Sequence, residues 1–114
     1  MSNCIFCKII AGEIPSKKIF EDSEMLAFHD VNPQAPVHFL IIPKKHITSL
    51  LDVEPEDTEM LGRLLVKAQE LAKELGCTNK GGRFVINAKQ HGGQTVDHLH
   101  LHVLGGRFLS WPPG

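Results

Sequence analysis

An α+β domain built on antiparallel strands is the fold this sequence predicts, and three observations carry the prediction. Short runs of β-branched and aliphatic residues are separated by brief turn segments. One long amphipathic helical pattern stands apart from those runs instead of alternating with them. Near the C-terminus, His98-Leu99-His100-Leu101-His102-Val103 alternates imidazole with aliphatic side chains at the period of a strand. Short connections with segregated helices favour an antiparallel meander over a βαβ nucleotide-binding arrangement.

Taken along the chain, residues 4–11 form a short helix candidate, with Phe6, Ile9 and Ile10 at helical spacing and Gly12 placed to end it. Residues 17–21 and 25–30 read as two strands of a hairpin around Asp22-Ser23, and residues 38–43 as a buried strand. Residues 55–75 form the long helix. Met60, Leu61, Leu64, Leu65, Ala68, Leu71, Ala72 and Leu75 make its core stripe, Pro55 suits its first turn and Gly76 its end. Residues 83–88 and 98–104 complete the strands, joined by a glycine-rich turn at His91-Gly92-Gly93.

With 114 residues, 42% of them apolar, and a net charge of −1, the chain reads as one soluble globular domain, with no linker, repeat or composition break to divide it. A chain of this size buries roughly two-thirds of its unfolded surface, a thin margin that dimerisation would widen. No apolar run approaches the ~18 residues of a membrane span, and Met1-Ser2-Asn3-Cys4 lacks the pattern of a signal peptide, so a cytoplasmic location is expected. Near-neutral charge, with no basic run longer than Lys17-Lys18 or Lys44-Lys45, argues against a bulk nucleic-acid binder; any nucleotide partner is small and held in a pocket.

The histidine alternation carries the chemistry. On a strand, His98, His100 and His102 share one face with neighbours about 7 Å apart, while Leu99, Leu101 and Val103 share the other. The plain alternatives are a metal-binding tract or a strand whose polar face happens to carry imidazole. A neutral imidazole displaces a leaving group from phosphorus in line, giving a phospho-imidazole that water then hydrolyses. With an unperturbed pKa of about 6.5, histidine is largely neutral and nucleophilic near pH 7.

The run His98-Leu99-His100-Leu101-His102-Val103-Leu104 resembles the signature of the histidine-triad (HIT) superfamily of nucleotide hydrolases and transferases. The likeness extends through Glu13-Ile14-Pro15, Phe28-His29-Asp30, Pro33-Gln34-Ala35-Pro36, Ile42-Pro43-Lys44-Lys45-His46, Gly92-Gly93-Gln94, Gly105-Gly106-Arg107 and Trp111-Pro112-Pro113-Gly114, and is closest to the Hint branch. It implies a sheet of about five antiparallel strands with one long and one short helix, extended across a homodimer, with the C-terminal tail reaching toward the partner's active site. It places the nucleophile on His100, with phosphate contacts at His38, Asn87, Gly93, Gln94, Thr95 and His102. Thr95 stands where serine is common, so the hydroxyl is kept and a methyl added. Asp30 is implied as the ribose acceptor, and Phe6, Ile9, Ile14, Phe28 and Val31 as the base pocket. From the residues alone, Asp30 is a turn residue, the apolar set ordinary core, and His38 as readily a packed strand-start histidine as a ligand.

Cys4-Ile5-Phe6-Cys7 offers two thiols at a spacing known from structural zinc sites, although one such pair is also compatible with a redox pair or inert thiols. The resemblance pairs Cys4 and Cys7 with His46 and His98 around a structural Zn2+ that takes no part in the chemistry; Cys77 has no implied partner. The implied activity is cleavage of the P–N bond of adenosine 5′-phosphoramidates and related acyl adenylates, through AMP carried on His100. A dinucleoside polyphosphate hydrolase, and a nucleotide-binding regulatory or protein-interaction module, are the alternatives.

Overall fold

The computed structural model describes residues 3–114; Met1 and Ser2, part of the segment read above for a signal peptide, lie outside the described residues. The chain runs α1 (Ile5–Ile10), β1 (Lys18–Glu21), β2 (Met25–His29), β3 (Val37–Pro43), α2 (Thr58–Glu74), β4 (Gly82–Val85), α3 (Lys89–Gly92) and β5 (Leu101–Gly105), with single 3-10 turns at Leu50–Asp52 and Pro55–Asp57. The five strands form one antiparallel sheet in the order β1-β2-β3-β5-β4. The predicted meander holds for β1 to β3. The last hairpin then returns with β5 against β3 and β4 at the edge, because the long connection through α2 carries the chain beyond β3 first.

Both faces of the central strands are covered. On one face Met25, Ala27, Phe39, Ile41, Leu101 and Val103 pack against Leu64, Ala68, Leu71 and Ala72 of α2. On the other, Leu26, Phe28, Leu40 and Ile42 pack against Phe6 and Ile9 of α1. Alternation along β2 and β3 thus feeds two cores, and full burial of each large aliphatic or aromatic side chain is worth about 1.5–3 kcal/mol. The α1 core stops short of covering β3 and β5 completely. His38 and His102 occupy the same face one step along, since Leu40 pairs with His102 and His38 with Leu104.

Several details differ from expectation. Pro55 opens a 3-10 turn and α2 begins at Thr58, because Asp57 turns its carboxylate back to accept from the Glu54 N–H (3.0 Å) and the Lys45 ammonium (2.7 Å). Within α2, Leu65 stands exposed, while Leu64, Ala68, Leu71 and Ala72 are buried and Met60 and Leu75 pack half-buried against the same core. β4 ends at Val85, and the expected glycine turn is a single helical turn, with Lys89 at φ 59° and Gly93 at φ 76° closing it. Replacing Leu71 by alanine is expected to cost about 2–5 kcal/mol in urea unfolding. The same change at Leu65 should cost less than about 1 kcal/mol. Equal losses would misplace the α2 contact face.

Candidate active site and metal centre

The histidine row begins before its strand. β5 starts only at Leu101, so His102 alone of the three lies within it, while His98 and His100 sit in a bent approach. Competition for backbone partners explains the shortening. The Pro43 carbonyl at the end of β3 accepts from His98 Nε2 (2.8 Å), and the Leu99 N–H goes to the Ile47 carbonyl (2.7 Å). The bend also separates the roles of the rings, turning His98 toward the start of α1 and leaving His100 and His102 with centroids 5.0 Å apart.

Backbone partners fix where each proton sits, because a carbonyl only accepts and an N–H only donates. His100 Nδ1 lies 2.7 Å from the His98 carbonyl, so Nδ1 carries the hydrogen and Nε2 keeps its lone pair. His98 has the opposite tautomer: Nε2–H donates to Pro43, and Nδ1 presents its lone pair to the sulfurs of Cys4 (3.4 Å) and Cys7 (3.6 Å). The Gln34 N–H donates to His38 Nδ1 (3.0 Å), which leaves the His38 proton on Nε2. That proton is donated to His102 Nδ1 (3.0 Å), with Asp30 Oδ2 3.4 Å away, and His102 is therefore protonated on Nε2.

These histidines stand in the wall of a cavity of about 1080 Å³. That is ample for a nucleotide. Phe6, Ile9, Ile14 and Phe28 form its apolar part; Asp30, His38, His100, His102 and Thr95 form its polar part. The Phe6 ring packs edge-on against His100, with centroids 5.1 Å apart, tying the short helix to the imidazole row.

A family model described as the HIT domain matches residues 11–109. An uncharacterized HIT-like protein of Synechocystis is 57% identical over 96% of each chain, and Protein HitA of Neisseria gonorrhoeae is 50% identical over 92% of this chain and 97% of its own. Among solved structures, a HIT family hydrolase from Legionella pneumophila superposes with a TM-score of 0.96 at 54% identity, covering 98% of this chain and all of that one. A histidine triad protein from Clostridium difficile gives 0.92 at 45% identity, covering 96% of each. This chain belongs to the HIT family.

Within this HIT domain the residues expected at the site are not all at the cavity. His38, His100, His102, Thr95, Asp30, Phe6, Ile9, Ile14 and Phe28 line it, and Val31 forms its rim with its side chain fully exposed. Asp30 also serves the turn, since Oδ1 accepts from the Asn32 N–H (2.8 Å). Asn87, Gly93 and Gln94 are not among the lining residues. Gln94 braces the loop instead, accepting from the Lys89 N–H and donating to the Thr48 and Val96 carbonyls. Gln34 and Arg107 went unassigned in the sequence: Gln34 meets His38 through its backbone N–H, which leaves no residue-type signature, and the Arg107 guanidinium reaches the backbone carbonyl of Gln34.

The HIT domain also gathers Cys4, Cys7, His46 and His98, whose ligand atoms lie within 4.8 Å of one another. Two sulfurs and two nitrogens suit a tetrahedral divalent cation, and the His98 tautomer leaves the lone pair that such an ion requires. Burial and the neighbouring Cys4 push the Cys7 thiol up, a bias that a bound cation opposes. Asp30, His38 and His102 approach one another equally closely but do not fit an ion in the same way. A cation on His38 Nε2 would move that proton to Nδ1, where it meets the Gln34 N–H head-on. Within the trio His38 and His102 share a hydrogen bond, with the Asp30 carboxylate 3.4 Å from His38 Nε2.

Burial holds the imidazoles neutral. It lowers His38, against the pull of Asp30, and lowers His98 and His100 against the raising effect of their carbonyl partners. Burial, with His100 and His38 nearby, lowers His102 to about 4. An unfolded imidazole titrates near 6.5, so the unfolded chain takes up this proton first as pH falls. The His102 contribution is therefore fully present above pH about 6.5 and is lost progressively toward pH about 4. Thermal melts from pH 7 to 4.5 should show a smaller fall in Tm for His102→Asn than for the wild type; parallel curves would contradict this assignment.

Proposed function

We propose that this HIT protein is a Hint-type hydrolase that cleaves the P–N bond of adenosine 5′-phosphoramidates and related acyl adenylates through an AMP-histidine intermediate. The observation that carries the reading is the His100 tautomer. With Nδ1–H held by the His98 carbonyl, Nε2 offers its lone pair at the cavity wall, beside a partner whose Nε2–H is a donor. His100 Nε2 bonds to phosphorus as the P–N bond breaks, and the amine leaves with a proton from solvent. Water then cleaves the N–P bond to release AMP and regenerate the imidazole. His102 Nε2–H stabilises charge developing on the phosphoryl oxygens, with the Thr95 hydroxyl beside it. Asn87 is assigned a further polar contact by the family likeness alone, and Gly93 and Gln94 shape the loop that leads to Thr95. Asp30 accepts from the ribose hydroxyls, and the base lies among Phe6, Ile9, Ile14 and Phe28 with Val31 at the rim.

Similarity to proteins described as HIT family hydrolases supports hydrolysis as the reaction class. A homodimer is part of the reading. β4 is an edge strand whose outer backbone groups have no strand beside them, and Phe108 and Trp111 of the C-terminal tail are almost fully exposed. Pairing of two β4 edges continues the sheet, and the tail reaches the partner's cavity. A cytoplasmic location accords with the described residues, in which no helix is long and apolar enough to cross a membrane.

Zn2+ is the ion proposed for Cys4, Cys7, His46 and His98; it ties α1 to the approach of β5 and stays outside the chemistry. The purified protein should hold about one zinc per chain, lost in Cys4→Ser/Cys7→Ser with a fall in Tm. His98→Ala retains the carbonyl that holds the His100 proton, so metal content and Tm should fall more than turnover. Unchanged metal content in either variant would reject the ligand set.

AMP release from adenosine 5′-phosphoramidate and from diadenosine tetraphosphate, with wild type and His100→Ala side by side, tests the activity. Release from the phosphoramidate is expected, reduced at least about 10³-fold in His100→Ala. Preferential cleavage of the dinucleotide would indicate a dinucleoside polyphosphate hydrolase, and release from neither a binding module.

A further inference from the structure

The strand that carries His38 and the strand that carries His102 are tied together beyond their ladder. Leaving β5, Gly106 adopts φ 95°, and a Cβ there would come within 2.9 Å of the Pro36 side chain, so the chain passes directly against the turn that leads into β3. Arg107 follows. Its Nε and Nη2 both donate to the Gln34 carbonyl, at 3.0 and 2.9 Å, and its Nη1 donates to the Phe108 carbonyl at 3.0 Å. Gln34 is the residue whose N–H meets His38 Nδ1, and its side chain donates to the Asn32 carbonyl, next to the Asp30 turn.

We propose that Arg107 is a positioning residue: by clamping the Gln34 carbonyl it aims the Gln34 N–H at His38 Nδ1, and so decides whether His102 Nε2 faces the phosphate as a donor or with a lone pair. A neutral imidazole has two tautomers close in energy, and one directed backbone donor is enough to select between them. With the Gln34 N–H in place, the proton sits on His38 Nε2, His102 Nδ1 accepts it, and His102 Nε2–H points the other way. With that N–H turned aside, His38 can hold its proton on Nδ1 and present a lone pair to His102. His102 then protonates on Nδ1 and turns a lone pair toward the anion. Two parallel N–H donors on one carbonyl need the planar guanidinium, so lysine supplies half of the clamp.

The kinetic consequence rests on the phosphate-facing role given to His102 above, whereas the protonation pattern belongs to the free protein. The test compares wild type, Arg107→Ala, Arg107→Lys and Arg83→Ala. Arg83 anchors the same tail through the Leu109 and Ser110 carbonyls without touching Gln34. Nitrogen-15 spectra of the imidazole rings in the ligand-free protein, and kcat and KM for adenosine 5′-phosphoramidate, are recorded for each. In wild type and Arg83→Ala, His38 and His102 should each show one tautomer, protonated on Nε2. Arg107→Ala should show a mixture with Nδ1-protonated His102 and a kcat about tenfold lower, less than the roughly 10²–10³-fold cost of removing a donor outright, with KM changed less than about threefold. Arg107→Lys should lie between, and carries the test if the alanine variant does not fold. Wild-type tautomers in folded Arg107 variants, or the same mixture in Arg83→Ala, would overturn the proposal. Tautomer change without AMP release by the wild type would uphold the positioning role and reject the phosphoramidate reading alone.

Discussion

Much of this molecule hangs on His98, through three bonds that leave it in different directions. Its carbonyl takes the His100 proton at 2.7 Å, its Nε2–H caps the Pro43 carbonyl at 2.8 Å, and its Nδ1 faces the cysteine pair. One residue thereby ends the β5 ladder, orients the neighbouring imidazole and joins the short N-terminal helix to the sheet. The ring is fully buried, so moving it would strand several polar groups away from water, each a substantial cost. The side chain joins the cysteine cluster to the end of β3, and the backbone carbonyl orients the neighbouring His100 ring.

The two faces of the sheet divide the work in a similar way. The α2 face is closed and wholly apolar at its centre, whereas the α1 face is covered by a helix of only six residues. What α1 leaves open becomes the cavity, and the residues of β3 and β5 that would otherwise be core are there histidine. Protonation is held off by burial, and direction is imposed by backbone carbonyls and N–H groups. Neutral rings with defined tautomers are a prearranged set of one lone pair and one donor, with no reorganisation needed when substrate arrives.

The sheet, the two principal helices and the core were legible because alternation and helical periodicity report burial directly. Leu65 was over-read, since a periodic stripe can be wider than the face that finds a partner. The late start of the triad strand and the single turn of α3 were hidden, because both depend on which backbone group wins a hydrogen bond. At the site, His38, His100, His102 and Asp30 line one cavity, and Cys4 and Cys7 meet His46 and His98. Gln34 and Arg107 stood in plain view in two of the matching segments, but Gln34 is met through an N–H and a carbonyl that every residue possesses, and nothing in the sequence shows which carbonyl the Arg107 guanidinium reaches.

Backbone partners set the proton on each imidazole, and long-range nitrogen-15 to proton correlation of the histidine rings in the wild-type protein tests this directly. His100 should be protonated on Nδ1 with a free Nε2, and His98 on Nε2. A His100 ring protonated on Nε2 would show that the His98 carbonyl does not hold its proton, and would overturn the tautomer assignment.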